Sequence, residues 1–305
     1  MIEVEGLRRS YGDLEAVAGI DLSVRTGEVF ALLGPNGAGK TTTVEVLEGY
    51  RRRDGGRVAV LGTDPAEPTP EWRARIGIVL QSTGAFEDLT PAELIKHFAD
   101  FYPDPLDPGE VIDLVGLADK RDVRCGKLSG GQKRRLDIAL GIVGNPELVF
   151  LDEPTTGLDP QARHQTWDLV RNLTTLGTTV VLTTHYLEEA EELADEAAVI
   201  VRGRIVAQGT PRDIGGRAQA TARVAFAHRG ALADIPLPDI AGISGVDVIT
   251  GVVEIRTDAP TTTVAALAAW ASAAGVDELP ELTVSRPTLE DVYLQLIAEH
   301  DGDPA

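Results

Sequence analysis

Four segments of this chain share one pattern, a short and nearly continuous apolar run that ends on polar or glycine-rich sequence. Val29-Phe30-Ala31-Leu32-Leu33 runs into a glycine-rich stretch, and Ile76-Gly77-Ile78-Val79-Leu80 ends at Gln81. Leu148-Val149-Phe150-Leu151 ends at Asp152 and Glu153, and Thr179-Val180-Val181-Leu182-Thr183-Thr184 ends at His185. Runs of this length without in–out alternation predict strands of a parallel sheet covered on both faces. In open α/β sheets ligands sit beyond the carboxyl ends of the strands, so the four polar ends are expected to converge on one site. Helical spacing predicts helices over Gly131–Val143, over Gln161–Thr174 after the Asp159-Pro160 breaker, and over Leu187–Ala194. The stretch Thr90–Leu117 also reads as helical, interrupted by the proline-rich Tyr102–Pro108. Antiparallel strands are expected in the N-terminal segment, at Arg57–Leu61, and in the pair Ala197–Ile200 and Ile205–Gln208 around Arg202-Gly203.

The pattern changes near Thr210–Ala220, where Thr210-Pro211 and Gly215-Gly216 act as breakers. Beyond them lysine is absent, the chain alternates at Val224 and Phe226, and Val246–Thr250 is set to pair with Val252–Arg256 across Gly251. An alanine-rich helix is expected over Thr262–Ala274, then a strand around Leu282–Ser285. Thr288 and Asp291 form a capping-box-like start for a last helix whose Leu289, Val292, Tyr293 and Leu296 make an apolar face. Two domains follow, residues 1–215 and a small α+β domain over residues 216–305.

Charge narrows the function. With 48 acidic and 28 basic residues the net charge is −20, a field that repels nucleic acid. No stretch approaches the ~18 consecutive apolar residues of a membrane-spanning helix, and the acidic start Met1-Ile-Glu-Val-Glu does not resemble a signal peptide. The single cysteine, Cys125, excludes an internal disulfide and reads as a passive residue of a reducing compartment.

The chemistry lies in two short motifs. Gly34, Pro35, Asn36, Gly37, Ala38, Gly39, Lys40 and Thr41 have the Gly-x-x-x-x-Gly-Lys-Thr spacing of a phosphate-binding P-loop, with a strand before it and a helix from Thr41 and Thr42 onward. The glycines let backbone amides curl around anionic oxygens, the helix N-terminus adds its positive dipole end, and Lys40 supplies a mobile charge. The second motif is Leu128-Ser129-Gly130-Gly131-Gln132. Together they resemble an ATP-binding cassette (ABC) ATPase. The run Arg286-Pro-Thr-Leu-Glu-Asp-Val-Tyr293 resembles the tail of ATPase subunits from drug-resistance exporters of the daunorubicin-resistance type.

The resemblance implies an α/β P-loop NTPase fold with a parallel core sheet, an antiparallel β subdomain and a helical subdomain, the last meeting a membrane partner. It implies ATP and Mg²⁺ as ligands. Lys40 would contact the β and γ phosphates, and Thr41, Gln81 and an outer-sphere Asp152 would hold the metal. Glu153 would polarise the attacking water, His185 would sense the γ-phosphate, and Gly157-Leu158-Asp159 would form the D-loop. Tyr11 would stack on adenine. Ser129, Gly130, Gly131 and Gln132 would form a second anion-binding cup that closes over ATP held by the opposite subunit of a homodimer. Arg134 and Arg135 read as surface residues without a role. Separate integral-membrane subunits would be needed, placing the chain at the cytoplasmic face of a membrane, with no nucleic-acid partner. Export is the favoured direction. An importer ATPase is the alternative within the class, and a soluble cassette acting on ribosomes or DNA, or a nucleotide sensor without turnover, lies outside it.

Overall fold

The computed structural model describes residues 1–79, 86–229, 232 and 235–301. Gln81 lies outside the described residues. The chain divides into two compact units, Met1–Pro211 and Arg212–Ala305.

The first unit opens with strands β1 (Ile2–Tyr11) and β2 (Leu14–Val24), followed by β3 (Val29–Leu33) and helix α1 (Lys40–Leu47). Next come β4 (Gly55–Val60), the short α2 (Pro70–Ala74) and β5 (Ile76–Val79). A helical insertion, α3 (Pro91–Ala99) and α4 (Pro108–Leu114), precedes α5 (Gly130–Ile142) and β6 (Leu148–Asp152). The unit ends with α6 (Pro160–Thr175), β7 (Thr179–Thr184), α7 (Leu187–Leu193) and the hairpin β8 (Glu196–Val201) and β9 (Arg204–Gly209).

The core sheet has the order β5-β6-β7-β3-β8-β9, parallel throughout except for the last pair. Leu148, Val149, Phe150, Val180 and Leu182 are almost wholly inaccessible, as strands covered on both faces must be. The four apolar runs are therefore neighbours, and their carboxyl ends lie along one edge. The β8–β9 hairpin is antiparallel as expected, but it belongs to this core sheet, because Ala197, Ala198, Val199 and Ile200 are fully buried and β8 pairs parallel with β3. The separate antiparallel sheet is β2-β1-β4, and Ile2, Val4, Leu7 and Ile20 from it share one hydrophobic cluster with Phe30, Leu32, Phe150 and Val181.

Proline at N1 starts both helices of the insertion. Thr90 and Glu93 close a capping box on α3, and Asp107 caps α4 through the amides of Gly109 and Glu110. The chain between them, with Pro103, Pro105 and Pro108, cannot continue a helix.

The second unit contains β10 (Ala222–Ala227), β11 (Ile243–Ile249), β12 (Val252–Thr257), α8 (Pro260–Ala273), β13 (Thr283–Ser285) and α9 (Leu289–Asp301). Its antiparallel sheet has the order β11-β12-β10-β13. Val224, Phe226, Val253 and Ile255 from the sheet cluster with Leu267 and Ala271 of α8. Thr288 Oγ1 accepts from the Asp291 amide at 3.1 Å while Asp291 Oδ2 accepts from the Thr288 amide at 2.8 Å, so the capping signal read from the sequence is the physical start of α9.

Candidate functional site

The glycine-rich loop leaves the fully buried β3 and turns into α1. Gly39 caps that helix at φ 107°, a left-handed conformation, and a Cβ there would collide with the Ala16 carbonyl oxygen of β2. Only glycine permits this approach of hairpin to loop. The loop is also held by Gly203, whose amide donates to the Ala38 carbonyl at 2.8 Å and whose carbonyl accepts from the Ala18 amide at 2.8 Å. Asn36, Gly37 and Thr41 are exposed, Pro35 and Thr42 are half-buried, and Gly34 is buried.

Lys40 is only 5% exposed, and its Nζ donates to the carbonyl oxygens of Gly34 at 2.6 Å and Pro35 at 3.1 Å. Burial lowers its pKa, opposed by the negative charges of Glu153 and Asp152. Among the described residues its hydrogen bonds go to neutral carbonyls, and a desolvated ammonium held in this way favours an additional anionic partner.

Glu153 and His185 stand just past the ends of β6 and β7, adjacent strands of the sheet. His185 Nδ1 is 3.1 Å from Glu153 Oε1, and Thr156 Oγ1 donates to Glu153 Oε2 at 3.1 Å. An ionised carboxylate can only accept, so the proton shared in the histidine contact belongs to Nδ1. Thr183 of β7 organises both acids. Its hydroxyl donates to Asp152 Oδ1 at 2.5 Å and accepts from the Glu153 amide at 3.1 Å. Glu153 itself has φ 46°, a strained backbone for a residue with a side chain, of the kind that collects at functional sites.

Ser129 is the N-cap of α5. Its hydroxyl accepts from the Gln132 amide at 3.3 Å, and Gln132 Oε1 accepts from the Ser129 amide at 2.9 Å. A side chain on Gly131 would strike Ala162 of α6, so this glycine serves close helix packing as well as the exposed turn. The start of α5 and the loop after β6 enclose a cavity of about 280 Å³. Among the described residues its lining includes Gly130, Lys133, Glu153 and Gly157 but none of Gly34–Thr42. Cys125 also lines it, and burial pushes its thiol pKa up, which agrees with a passive role.

The surface reading is corrected for Arg134, while the half-buried Arg135 gains named partners. Arg134 is 6% exposed, not a surface residue, and its guanidinium donates to the carbonyl oxygens of Pro154 at 3.0 Å and Asp152 at 2.7 Å. Arg135 donates to the carbonyls of Val115 and Gly116 at 3.1 and 3.0 Å, tying α5 to the end of α4. The sequence carried a signal for the first: Arg134 lies four residues before the buried Ile138, on the inward face of the helix.

Tyr11 ends β1 with 38% of its surface exposed. The guanidinium carbons of Arg9 and Arg51 lie 5.0 and 5.2 Å from its ring centroid. Asp159 caps α6 through the Ala162 amide at 2.9 Å. The structure thus brings Lys40, Asp152, Glu153 and His185 together at one sheet edge and leaves the Ser129–Gln132 turn apart from the P-loop.

The chain matches the ABC transporter family over residues 17–156 and the C-terminal domain of ABC-transporter-domain-containing-protein-like chains over residues 222–288. It is 38% identical over 308 residues to the daunorubicin resistance ATP-binding protein DrrA3 of Streptomyces coeruleorubidus, covering 98% of this chain and 96% of that one. It is 42% identical over 220 residues to the Nod factor export ATP-binding protein I of Ralstonia nicotianae, covering 70% and 68% of the two chains. Its fold is similar to the ADP conformation of MJ1267, an ATP-binding cassette of an ABC transporter, with TM-score 0.62 and 25% identity over 69% of this chain and 91% of that one. The α/β P-loop architecture and the similarity along nearly the full length agree: the chain belongs to the ABC transporter ATP-binding family and is an ATPase subunit that couples ATP hydrolysis to transport.

Proposed function

We propose that this subunit powers export of drugs or other hydrophobic compounds through separate integral-membrane subunits, as a homodimer that sandwiches two ATP molecules. The observation that carries the export reading is the similarity to a daunorubicin resistance ATP-binding protein over 98% of this chain. The Nod factor export relative supports the same direction. Among the described residues no helix is long and apolar enough to cross a membrane, which agrees with a peripheral subunit on the cytoplasmic face. Phe101, 71% exposed just past α3, gives the helical insertion an exposed aromatic ring for a cytoplasmic segment of the membrane subunits.

In this mechanism the P-loop amides and Lys40 hold the ATP phosphates, with Lys40 exchanging its carbonyl partners for phosphate oxygens. Tyr11 stacks on adenine. Glu153 polarises the attacking water and accepts its proton. The Glu153–His185 contact keeps that base oriented until His185 engages the γ-phosphate. Ser129, Gly130, Gly131 and Gln132 contact the ATP bound by the other copy, in keeping with their separation from their own P-loop. An oxygen-only set, the Thr41 hydroxyl and Gln81 with the Asp152 carboxylate in the outer sphere, would suit Mg²⁺, and the Asp152 carboxylate already bears on Lys40. Bound there, the ion would neutralise charge on the phosphate oxygens.

ATPase rate and oligomeric state of the wild type and Glu153→Gln, with and without Mg-ATP, test the reading. An ATP-dependent dimer trapped by Glu153→Gln, with kcat lowered about 10²-fold or more, is expected. Normal turnover by the variant, or a monomer–dimer balance indifferent to ATP, would sink it.

A further inference from the structure

Glu189 is a wholly buried carboxyl that takes no part in the steps above. It lies on α7, four residues past His185, and three elements of the site converge on it. Trp167 of α6 donates from Nε1 to Glu189 Oε1 at 3.2 Å. Thr184 directly precedes His185, and its hydroxyl accepts from the Tyr186 amide at 2.9 Å, leaving its own proton for another acceptor. Thr155 is two residues past Glu153, and it too is fully buried. Burial raises the Glu189 pKa, while the Thr184 and Thr155 hydroxyls, the Trp167 indole and the Arg163 charge draw it back. Both hydroxyls therefore lie near enough to act on the carboxyl. Yet among the described residues Glu189 Oε2 and Thr155 Oγ1 have no hydrogen-bond partner of good geometry. A buried acceptor and a buried donor without partners are costly, and a hydrogen bond between them would satisfy both.

We propose that Glu189 is a positioning residue for ATP hydrolysis. Its carboxyl fixes the loops carrying Thr155 and Thr184, and through them the Glu153–His185 contact. The Thr155–Glu189 hydrogen bond closes when the loop after Glu153 takes its hydrolytic position. Glu189 never touches nucleotide, so it governs the rate of the chemical step and not the affinity for ATP.

The test uses the full chain with Mg-ATP. Steady-state kinetics, a fluorescent ATP analogue for Kd, and thermal unfolding are measured for Glu189→Leu, Glu189→Gln, Thr155→Val and the Glu189→Leu/Thr155→Val pair. Glu189→Leu and Thr155→Val are each expected to lower kcat about tenfold, with KM and Kd within about twofold of wild type. Glu189→Gln, which keeps an acceptor in place, should recover most of the lost rate. The double variant should be no slower than Glu189→Leu alone, because both changes interrupt one path. Unchanged kcat, a loss shared by Kd, a fall that tracks loss of Tm, or additive losses would each overturn the proposal. If Glu189→Leu does not fold, Thr155→Val and Thr184→Val decide alone, since each deletes one hydroxyl at nearly constant shape. A lower kcat at unchanged Kd and Tm supports the role, and an unchanged kcat overturns it.

Discussion

Arg134 donates from Nη2 to the carbonyl oxygen of Asp152 at 2.7 Å, latching the first turns of α5 to the end of β6. The same guanidinium reaches the Pro154 carbonyl, so it bridges the two residues that flank Glu153 in the chain. Burial lowers the Arg134 pKa, against the charges of Asp137, Asp152 and Glu189, which is the mark of a cation held inside the protein for its hydrogen bonds.

Arg134→Lys is expected to cost about 2 kcal/mol of stability, because an ammonium lacks the planar fork and leaves one of the two carbonyls short of a donor. Urea denaturation gives the stability change. ATP turnover should fall as well, since both anchored carbonyls belong to the neighbours of Glu153, the proposed base. A variant as stable and active as wild type would show that the latch is dispensable.

Tyr11→Ala should weaken ATP binding about fivefold to tenfold, whereas Tyr11→Phe should bind as the wild type does, because stacking uses the ring face and not the hydroxyl. Competition with a fluorescent ATP analogue measures both. Equal losses in the two variants would point to the hydroxyl instead.

Glu48, at the end of α1, carries a carboxyl raised to about 8 from its ordinary value near 4.5, first by burial and then by the charges of Asp152 and Glu45. The unfolded chain releases this proton near the ordinary value while the folded chain keeps it. Stability from the neutral carboxyl is therefore complete below about pH 4.5, declines as pH rises, and is lost beyond about pH 8. Glu48→Gln should flatten this decline and gain on the order of 2 kcal/mol over wild type at the alkaline end, after allowance for its partial exposure. Urea midpoints in nucleotide-free protein from about pH 5 to about pH 9 check it. Parallel curves for the two proteins would contradict the assignment.

The core sheet was legible because its strands are covered on both faces, and continuous apolar runs such as Leu148–Leu151 have little alternative use. For the same reason the pattern alone gathers the polar residues that end those runs, Asp152, Glu153 and His185, to one edge. The second unit was legible through local chemistry, namely the Gly251 turn and the Thr288–Asp291 cap. Buried polar groups were not. Arg134 and Glu189 sit among charged and polar neighbours whose composition resembles a solvated helix, and only three-dimensional packing shows which charge turns inward. The placement of the β8–β9 hairpin was likewise hidden, because its partner β3 lies far away in sequence and no turn signal encodes that pairing.

Thr183 fixes the Asp152 carboxylate with the proton of its hydroxyl and the Glu153 backbone with a lone pair of the same oxygen. One atom is thus the common ruler for the Asp152 carboxylate and the Glu153 main chain. Any tug on either residue is passed to its companion through that hydroxyl, so the spacing between Asp152 and Glu153 is inherited from β7.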